Sequence, residues 1–303
     1  KWTGEILGPE GKVLRSWSFS PLPDPQVEWD GTDDAGKPLA DGTYSYRLRA
    51  MDGAGNAFAA APVAVALDTV KKDARLVADQ KAFSPVAGSP KPRLTLSAEV
   101  KANNSVRSYE LVVSALDAPG IAAGTVVRSW KGQTGVPASF VWDGSNDAKA
   151  ASPDGRYAAR LAVSYQNGDS ASAASSAFVL DRVAPSISVS ASPLLFSPSE
   201  TSRSRVAKFT QKSVPGDDWE GRLIGPDGSV KRSWTWKGVA PDFIWDGTDE
   251  AGNLVADGAY RYEVASTDAA GNKGRAVVPS IEVDKRPVQV FVTASDTGLS
   301  PNG

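Results

Sequence analysis

The chain has 303 residues, with 33 Lys plus Arg against 35 Asp plus Glu and a formal net charge of −2. Neither sign gathers into a long run, so nothing here attracts a phosphate backbone or an anionic membrane surface, and nucleic acid is not an expected partner. Cysteine and histidine are both absent, which rules out disulfides and thiolate metal sites and removes the commonest general base and metal ligand.

Along the chain, Trp2 to Leu7 leads into Gly8-Pro9-Glu10-Gly11, where proline presets φ and the second glycine is free to take a positive value, so a tight hairpin turn is expected. Arg15-Ser16-Trp17 follows, then Trp29-Asp30-Gly31 and Asp41-Gly42-Thr43-Tyr44. After that, Tyr44, Tyr46 and Leu48 alternate with Ser45, Arg47 and Arg49. This period of two predicts a strand with one apolar face. Asp52-Gly53-Ala54-Gly55-Asn56 closes the next hairpin, and an apolar run ends at Asp68.

The same order then recurs twice. The second copy carries Arg128-Ser129-Trp130, Trp142-Asp143-Gly144, Asp154-Gly155-Arg156-Tyr157 and Asp181; the third carries Arg232-Ser233-Trp234, Trp245-Asp246-Gly247, Asp257-Gly258-Ala259-Tyr260 and Asp284. The Trp-Asp-Gly triplets lie 113 and 103 residues apart, so the period is that of a whole domain and not of a solenoid turn. Short alternating strands between turns at this spacing predict antiparallel β-sandwiches, with no helix longer than about two turns. From Asp68, Asp181 and Asp284 it is 15 residues each time to Phe83, Phe196 and Leu299. A linker of constant length that contains proline is semi-rigid, and an extended rod is expected.

The boundaries that follow are a module at 1–70 lacking its N-terminal strands, modules at 71–185 and 186–286, and the first strand of a further module at 287–303. The second and third copies place strands after Asp68 and Asp181 and around Leu94 and Ala207, ahead of Arg-Ser-Trp, whereas the first begins at Lys1 with neither. Truncation of a longer polypeptide is the simpler expectation, and donation of the Val288-to-Thr293 strand by another chain the alternative.

Trp29-Asp30-Gly31-Thr32-Asp33-Asp34-Ala35-Gly36 followed by Asp41-Gly42-Thr43-Tyr44, and Trp245 to Asn253 followed by Tyr260, resemble the Ig-like module of the bacterial flagellar hook-capping protein, which also occurs in tandem in large bacterial surface and secreted proteins. The resemblance covers nearly the whole chain, although the second copy has Lys149 where the others have Gly36 and Gly252. It implies tandem immunoglobulin-like sandwiches, in which Tyr44, Tyr157 and Tyr260 take the place of the tyrosine whose hydroxyl pins the corner of strand F. Relatives of this type open each repeat with a Phe-Ser-Pro-Asn-Gly-Asp-Gly loop suited to calcium. Here Phe83-Ser84-Pro85-Val86-Ala87-Gly88 and Phe196-Ser197-Pro198-Ser199-Glu200 lack its aspartates, and a hard cation requires oxygen-rich coordination.

Asp30, Asp33, Asp34, Asp246, Asp249 and Glu250 are the remaining candidate calcium ligands, read first as acceptors within tight turns. Trp17, and Trp234 with Trp236 on one strand face, are candidate sugar-stacking residues, read first as half-buried strand aromatics. No catalytic residue and no cofactor are expected. The carboxylates triplicate as scaffolding does, and the serines have no histidine base. The expected function is therefore a non-catalytic stalk segment of a bacterial cell-surface or secreted protein, for adhesion or spacing. It would lie outside the cell or in the periplasm, beside neighbouring Ig-like modules of the parent chain and an unidentified protein or glycan partner, with no membrane span in this segment. A carbohydrate-binding array and a flagellar hook-cap-like assembly scaffold are the alternatives.

Overall fold

The computed structural model describes residues 1–24 and 26–293, and it is all-β. The one helical turn among the described residues is a 3-10 segment at Asn103–Ser105. The first copy carries β1 (Trp2–Leu7), β2 (Val13–Phe19), β3 (Gly42–Met51), β4 (Ala57–Ala59) and β5 (Val63–Leu67). The second carries β6 (Ala74–Ala78), β7 (Ala82–Phe83), β8 (Leu94–Val100), β9 (Val106–Asp117), β10 (Val126–Gly132), β11 (Ser139–Trp142), β12 (Gly155–Tyr165), β13 (Ser170–Ala174) and β14 (Phe178–Leu180). The third carries β15 (Ile187–Ser192), β16 (Leu195–Phe196), β17 (Ala207–Ser213), β18 (Trp219–Ile224), β19 (Val230–Trp236), β20 (Phe243–Trp245), β21 (Gly258–Thr267) and β22 (Lys273–Val283). Two compact units result. One comprises Lys1–Asp79, Thr95–Ser152 and Arg156–Ala177; the other comprises Gln80–Leu94, Pro153–Gly155 and Phe178–Gly303, so the second copy contributes to both.

The third copy, within the second unit, shows the complete design. One sheet runs β15-β17-β20 and the other β16-β22-β21-β18-β19, antiparallel throughout except for the short parallel pairing of β16 with β22. In immunoglobulin lettering these are strands A, B and E facing A′, G, F, C and C′. It is an immunoglobulin-like sandwich. Alternation along β21 sends Tyr260, Tyr262 and Val264 inward, where they meet Phe209 of β17, Trp219 and Leu223 of β18, Trp245 of β20, and Ile281 and Val283 of β22. All nine are at most 1% exposed. Residues of period two on both sheets thus build one shared interior. The same unit holds the parallel pair β7 and β14, the second copy's counterpart of β16 and β22.

In the first unit the second copy supplies a β6-β8-β11 sheet and a β10-β9-β12 sheet with β13 on β12. Leu96, Leu111, Val113, Phe140, Trp142, Tyr157 and Leu161 are buried there. The first copy differs. It has a single sheet, β2-β1-β3-β4 with β5 against β3, and Val27 to Trp29, the counterpart of β20, are in no strand. Its buried side chains are Glu5, Ile6, Leu7 and Tyr44. In the third copy the corresponding strand, β20, pairs with β17, and among the described residues of the first copy no strand takes the place of β17. At the other end of the chain, residues 287–293 lie in no strand, and the remainder of the expected opening strand falls outside the described residues.

One turn position records the repeat in its backbone. Gly36 and Gly252 sit at φ 75° and 82°, and Lys149, their counterpart, is held at φ 64°. A residue with a Cβ costs roughly 1–2 kcal/mol in this left-handed region. Lys149→Gly is therefore expected to raise the stability of its copy by about 1 kcal/mol in urea unfolding, after the greater backbone entropy of glycine is offset.

Candidate functional site

Each copy builds the same lock between its Arg-Ser-Trp strand and its Trp-Asp-Gly turn. Arg15 Nη1 donates to Thr32 Oγ1 at 2.6 Å and to the Asp33 carbonyl at 2.8 Å, and the guanidinium lies 5.6 Å over the Trp17 ring. Arg128 and Arg232 lie over Trp130 and Trp234 at 5.2 and 5.5 Å, donating to the Asn146 carbonyl and to Thr248 Oγ1. The intervening serine presents its amide to a turn carboxylate: Ser16 to Asp34 (3.0 Å), Ser129 to Asp147 (3.1 Å) and Ser233 to Glu250 (3.0 Å). Trp29, Trp142 and Trp245 donate from the indole to the carbonyl three residues on, at 2.9, 2.8 and 2.9 Å. Their rings meet Tyr44, Tyr157 and Tyr260 edge to face at 5.3, 5.1 and 5.3 Å. All three tyrosines are buried. The hydroxyls of Tyr44 and Tyr260 donate to the carbonyls of Ala40 and Ala256, each at 2.7 Å. That is the tyrosine corner.

The candidate calcium ligands are spread through these turns. Asp30 and Asp246 each accept from the amide and hydroxyl of the threonine two residues on. Asp33 accepts from the amides of Ala35 and Lys37, and Asp249 from those of Ala251 and Asn253. Asp34 and Glu250 hold the serine amides already named. Among the described residues no group of three or more acidic side chains is placed to hold a metal ion. The Thr32 hydroxyl and amide hold Asp30 below its ordinary pKa of 3.8. Burial of Asp246 opposes the same effect there, but the bonds from Thr248 and the charge of Arg232 outweigh it. A depressed carboxylate stabilises the fold above its ordinary pKa, and that contribution is lost as pH falls through the lowered value.

A second set of repeated bonds lies where each copy ends. The aspartate of Asp-Gly-x-Tyr accepts the amide just after the copy's last aspartate: Asp41 from Thr69 (2.8 Å), Asp154 from Arg182 (2.9 Å) and Asp257 from Lys285 (3.1 Å). The next copy then reaches back. Within the first unit Asn167 Nδ2 donates to the Asp68 carbonyl at 3.3 Å, and within the second Asn272 Nδ2 donates to the Asp181 carbonyl at 3.0 Å. Asn167 lies between β12 and β13 and Asn272 between β21 and β22, and the fold shows what they face. Asn56, the counterpart of Asn272, is exposed and bonds Asp52 of its own turn.

The tryptophan candidates occupy two settings. Trp234 and Trp236 are half-buried, pack against the third copy's core, and lie 4.6 and 5.8 Å from Phe243. Trp17 lies on the face of the first sheet that has no second sheet opposite. There it lines an open trench of about 670 Å³ with Ile6, Val27, Trp29, Tyr46 and Leu48, floored by Val63, Val65 and Leu67. Tyr46 and the β5 valines were legible only as strand residues. Their side of the first sheet has no second sheet opposite.

No family model matches the chain, and no curated protein does. Among solved structures it is similar to a tetra-tandem repeat in the extending region of a large adhesion protein, at 17% identity and a TM-score of 0.35, covering 94% of this chain and 67% of that one. It is also similar to fibronectin(III)-like modules of Clostridium thermocellum CbhA, at 14% identity and a TM-score of 0.33, covering 72% and 100% of the two chains. A third likeness is to a 1.5-MDa bacterial ice-binding adhesin, at 16% identity and a TM-score of 0.32, covering 93% and 85%. Scores this low assign neither a family nor an activity.

Proposed function

We propose that the chain is a structural segment, a series of immunoglobulin-like modules of a bacterial cell-surface or secreted protein that spaces or presents another part of its parent. The folding units are the sequence copies at 1–70, 71–185 and 186–286. The observation that carries this reading is that the recurring side-chain bonds hold strands and turns together. The Arg-Ser-Trp lock recurs in all three copies, and the asparagine bond from one copy to the preceding one recurs at both junctions. The turn carboxylates are engaged as amide acceptors, which supports a role without calcium. The packing of Trp234 and Trp236 on Phe243 supports a core role for them over a sugar platform. The hook-cap-like module type rests on the Trp-Asp-Gly to Asp-Gly-x-Tyr pattern alone, and an assembly-scaffold role has nothing further in its favour.

Stretching single molecules tests the reading. The second and third copies should unfold one at a time, each releasing about 300 Å of chain or more, given about 3.3–3.6 Å per extended residue. A single event for the whole chain, or extension without resistance, would overturn it. Saturable binding on a glycan array that is lost in Trp234→Ala would favour the carbohydrate-binding alternative.

A further inference from the structure

The turn that follows β3, β12 and β21 is built alike in the three copies, and only in the third is it buried. Its two backbone bonds recur: Asp52 N to the Asn56 carbonyl and Gly55 N to that of Asp52, Tyr165 N to Asp169 and Gly168 N to Tyr165, Asp268 N to Asn272 and Gly271 N to Asp268. Gly55, Gly168 and Gly271 sit at φ 91°, 91° and 93°. Asp52 to Asn56 and Gln166 to Asp169 are exposed, whereas Ala270, Gly271 and Asn272 are buried. A Cβ on Gly55 or Gly168 would meet nothing within 4 Å; on Gly271 it would lie 2.9 Å from the Pro90 ring. The turns agree in backbone and differ in cover.

The cover is made by residues of the second copy. Residues 80–94 stand between β6 and β8 of that copy, yet they belong to the same compact unit as the third. The loop they form is already shaped: Ser84 N bonds the Lys91 carbonyl, Lys91 N bonds Ser89 Oγ, and β7 lies against β14. From this loop Lys91 Nζ donates to the Ala269 carbonyl at 2.7 Å, and Pro90 sits over Gly271. The segment after β14 joins the same seat. Asn272 Nδ2 holds the Asp181 carbonyl, and a Cβ on Gly274 would run into the Pro185 carbonyl oxygen. Gly271 and Gly274 thus admit a neighbouring backbone that any larger residue would keep away, and a preshaped loop docks there with little ordering cost.

We propose that residues 84–91 are a clasp, a piece of the second copy that closes over the β21–β22 turn of the third, and that through it the stability of the third copy depends on the fold of the second. The clasp is carried between β6 and β8, which pair with each other in the second copy's sheet. Opening that sheet releases it. A coupling free energy of this kind is reciprocal, so loss of the turn also loosens the clasp. This goes beyond a spacing role and stands whether or not the chain bears tension.

Amide hydrogen exchange on the intact chain, read residue by residue and corrected for intrinsic rates, tests this. Gly271 N should exchange at least about tenfold more slowly than Gly168 N, which makes the same bond in an exposed turn. Pro90→Ala combined with Lys91→Met should speed exchange at Gly271 and Asn272 at least about fivefold while β9 and β12 keep their protection, which shows that the second copy is still folded. Trp142→Ala removes a fully buried ring from the second copy and should speed the same two amides at least as much, with no change in the third copy's own sequence. Gly271→Ala adds a clash to backbone strain and Gly168→Ala adds the strain alone, so the first should also speed exchange at Ser84 and Lys91 and the second should not. If Gly271 and Asn272 exchange at the parent rate in both the Pro90→Ala/Lys91→Met and the Trp142→Ala chains, the proposal is overturned. A response to the first variant with none to Trp142→Ala would overturn the dependence on the second copy's fold. Should the Trp142→Ala chain be insoluble, Phe140→Ala, in the same buried cluster, makes the same test.

Discussion

Trp245→Ala is expected to destabilise the third copy by about 3–5 kcal/mol, and Trp29→Ala, the equivalent change in the first, by about 1 kcal/mol or less. The two tryptophans share a motif, an indole bond and an edge-to-face tyrosine. They differ in what lies over them. Trp245 is fully buried between two sheets, so its removal leaves a cavity lined by Phe196, Tyr260 and their neighbours. Trp29 borders an open trench that solvent already enters. A loss of up to 5 kcal/mol approaches the whole stability of a domain this size, so the third copy should unfold separately in urea while the second keeps its own transition. Equal effects at the two sites would mean that the first copy is as enclosed as the third.

Gly221→Ala and Gly4→Ala make the same comparison by adding an atom. At Gly221 the new Cβ would lie 2.5 Å from the Tyr262 hydroxyl and 2.7 Å from the Trp236 ring. Tyr262 is immobilised by Phe209 and Gln211, and burial pushes its hydroxyl pKa up, so it remains a neutral donor in that place. With no free direction for the ring to move, overpacking should cost about 1–3 kcal/mol. At Gly4 the clash is with Tyr46 at 2.6 Å and Phe19 at 3.1 Å. Both side chains are half-buried beside the trench and can swing outward, so the cost should be less than about 1 kcal/mol. Thermal unfolding resolved by segment would read both numbers, and a reversed order would contradict the register that equates Gly4 with Gly221.

The architecture was legible because the chain states it three times. Alternation from Tyr44 marked strand F, and the Gly8-Pro9-Glu10-Gly11 turn closed its hairpin at the expected residues, with Gly11 N bonded to the Gly8 carbonyl; the same bond joins Gly228 N to the Gly225 carbonyl in the third copy. The junctions were not legible. Asn167 and Asn272 look like any turn asparagine, and their bonds to Asp68 and Asp181 cross 99 and 91 residues of sequence. Nor did the sequence separate a tryptophan that packs inward, such as Trp234, from one that lines an open face, such as Trp17. Period two assigns both to one side of a strand and says nothing of what lies opposite. Likewise 287–293 has the alternation of an opening strand and forms none, since strand formation depends on a partner that local pattern does not supply.

The account holds that two copies are closed sandwiches and that the described first copy is a single sheet with one open face. Native-state hydrogen exchange on the intact chain measures this directly, since protection follows enclosure and cooperative opening. The amides of β21 in the third copy and β12 in the second should exchange only through full opening of their sandwiches, and those of β3, their counterpart in the first, at least about a hundredfold faster. Protection of β3 equal to that of β21, in a chain shown to be monomeric, would contradict it.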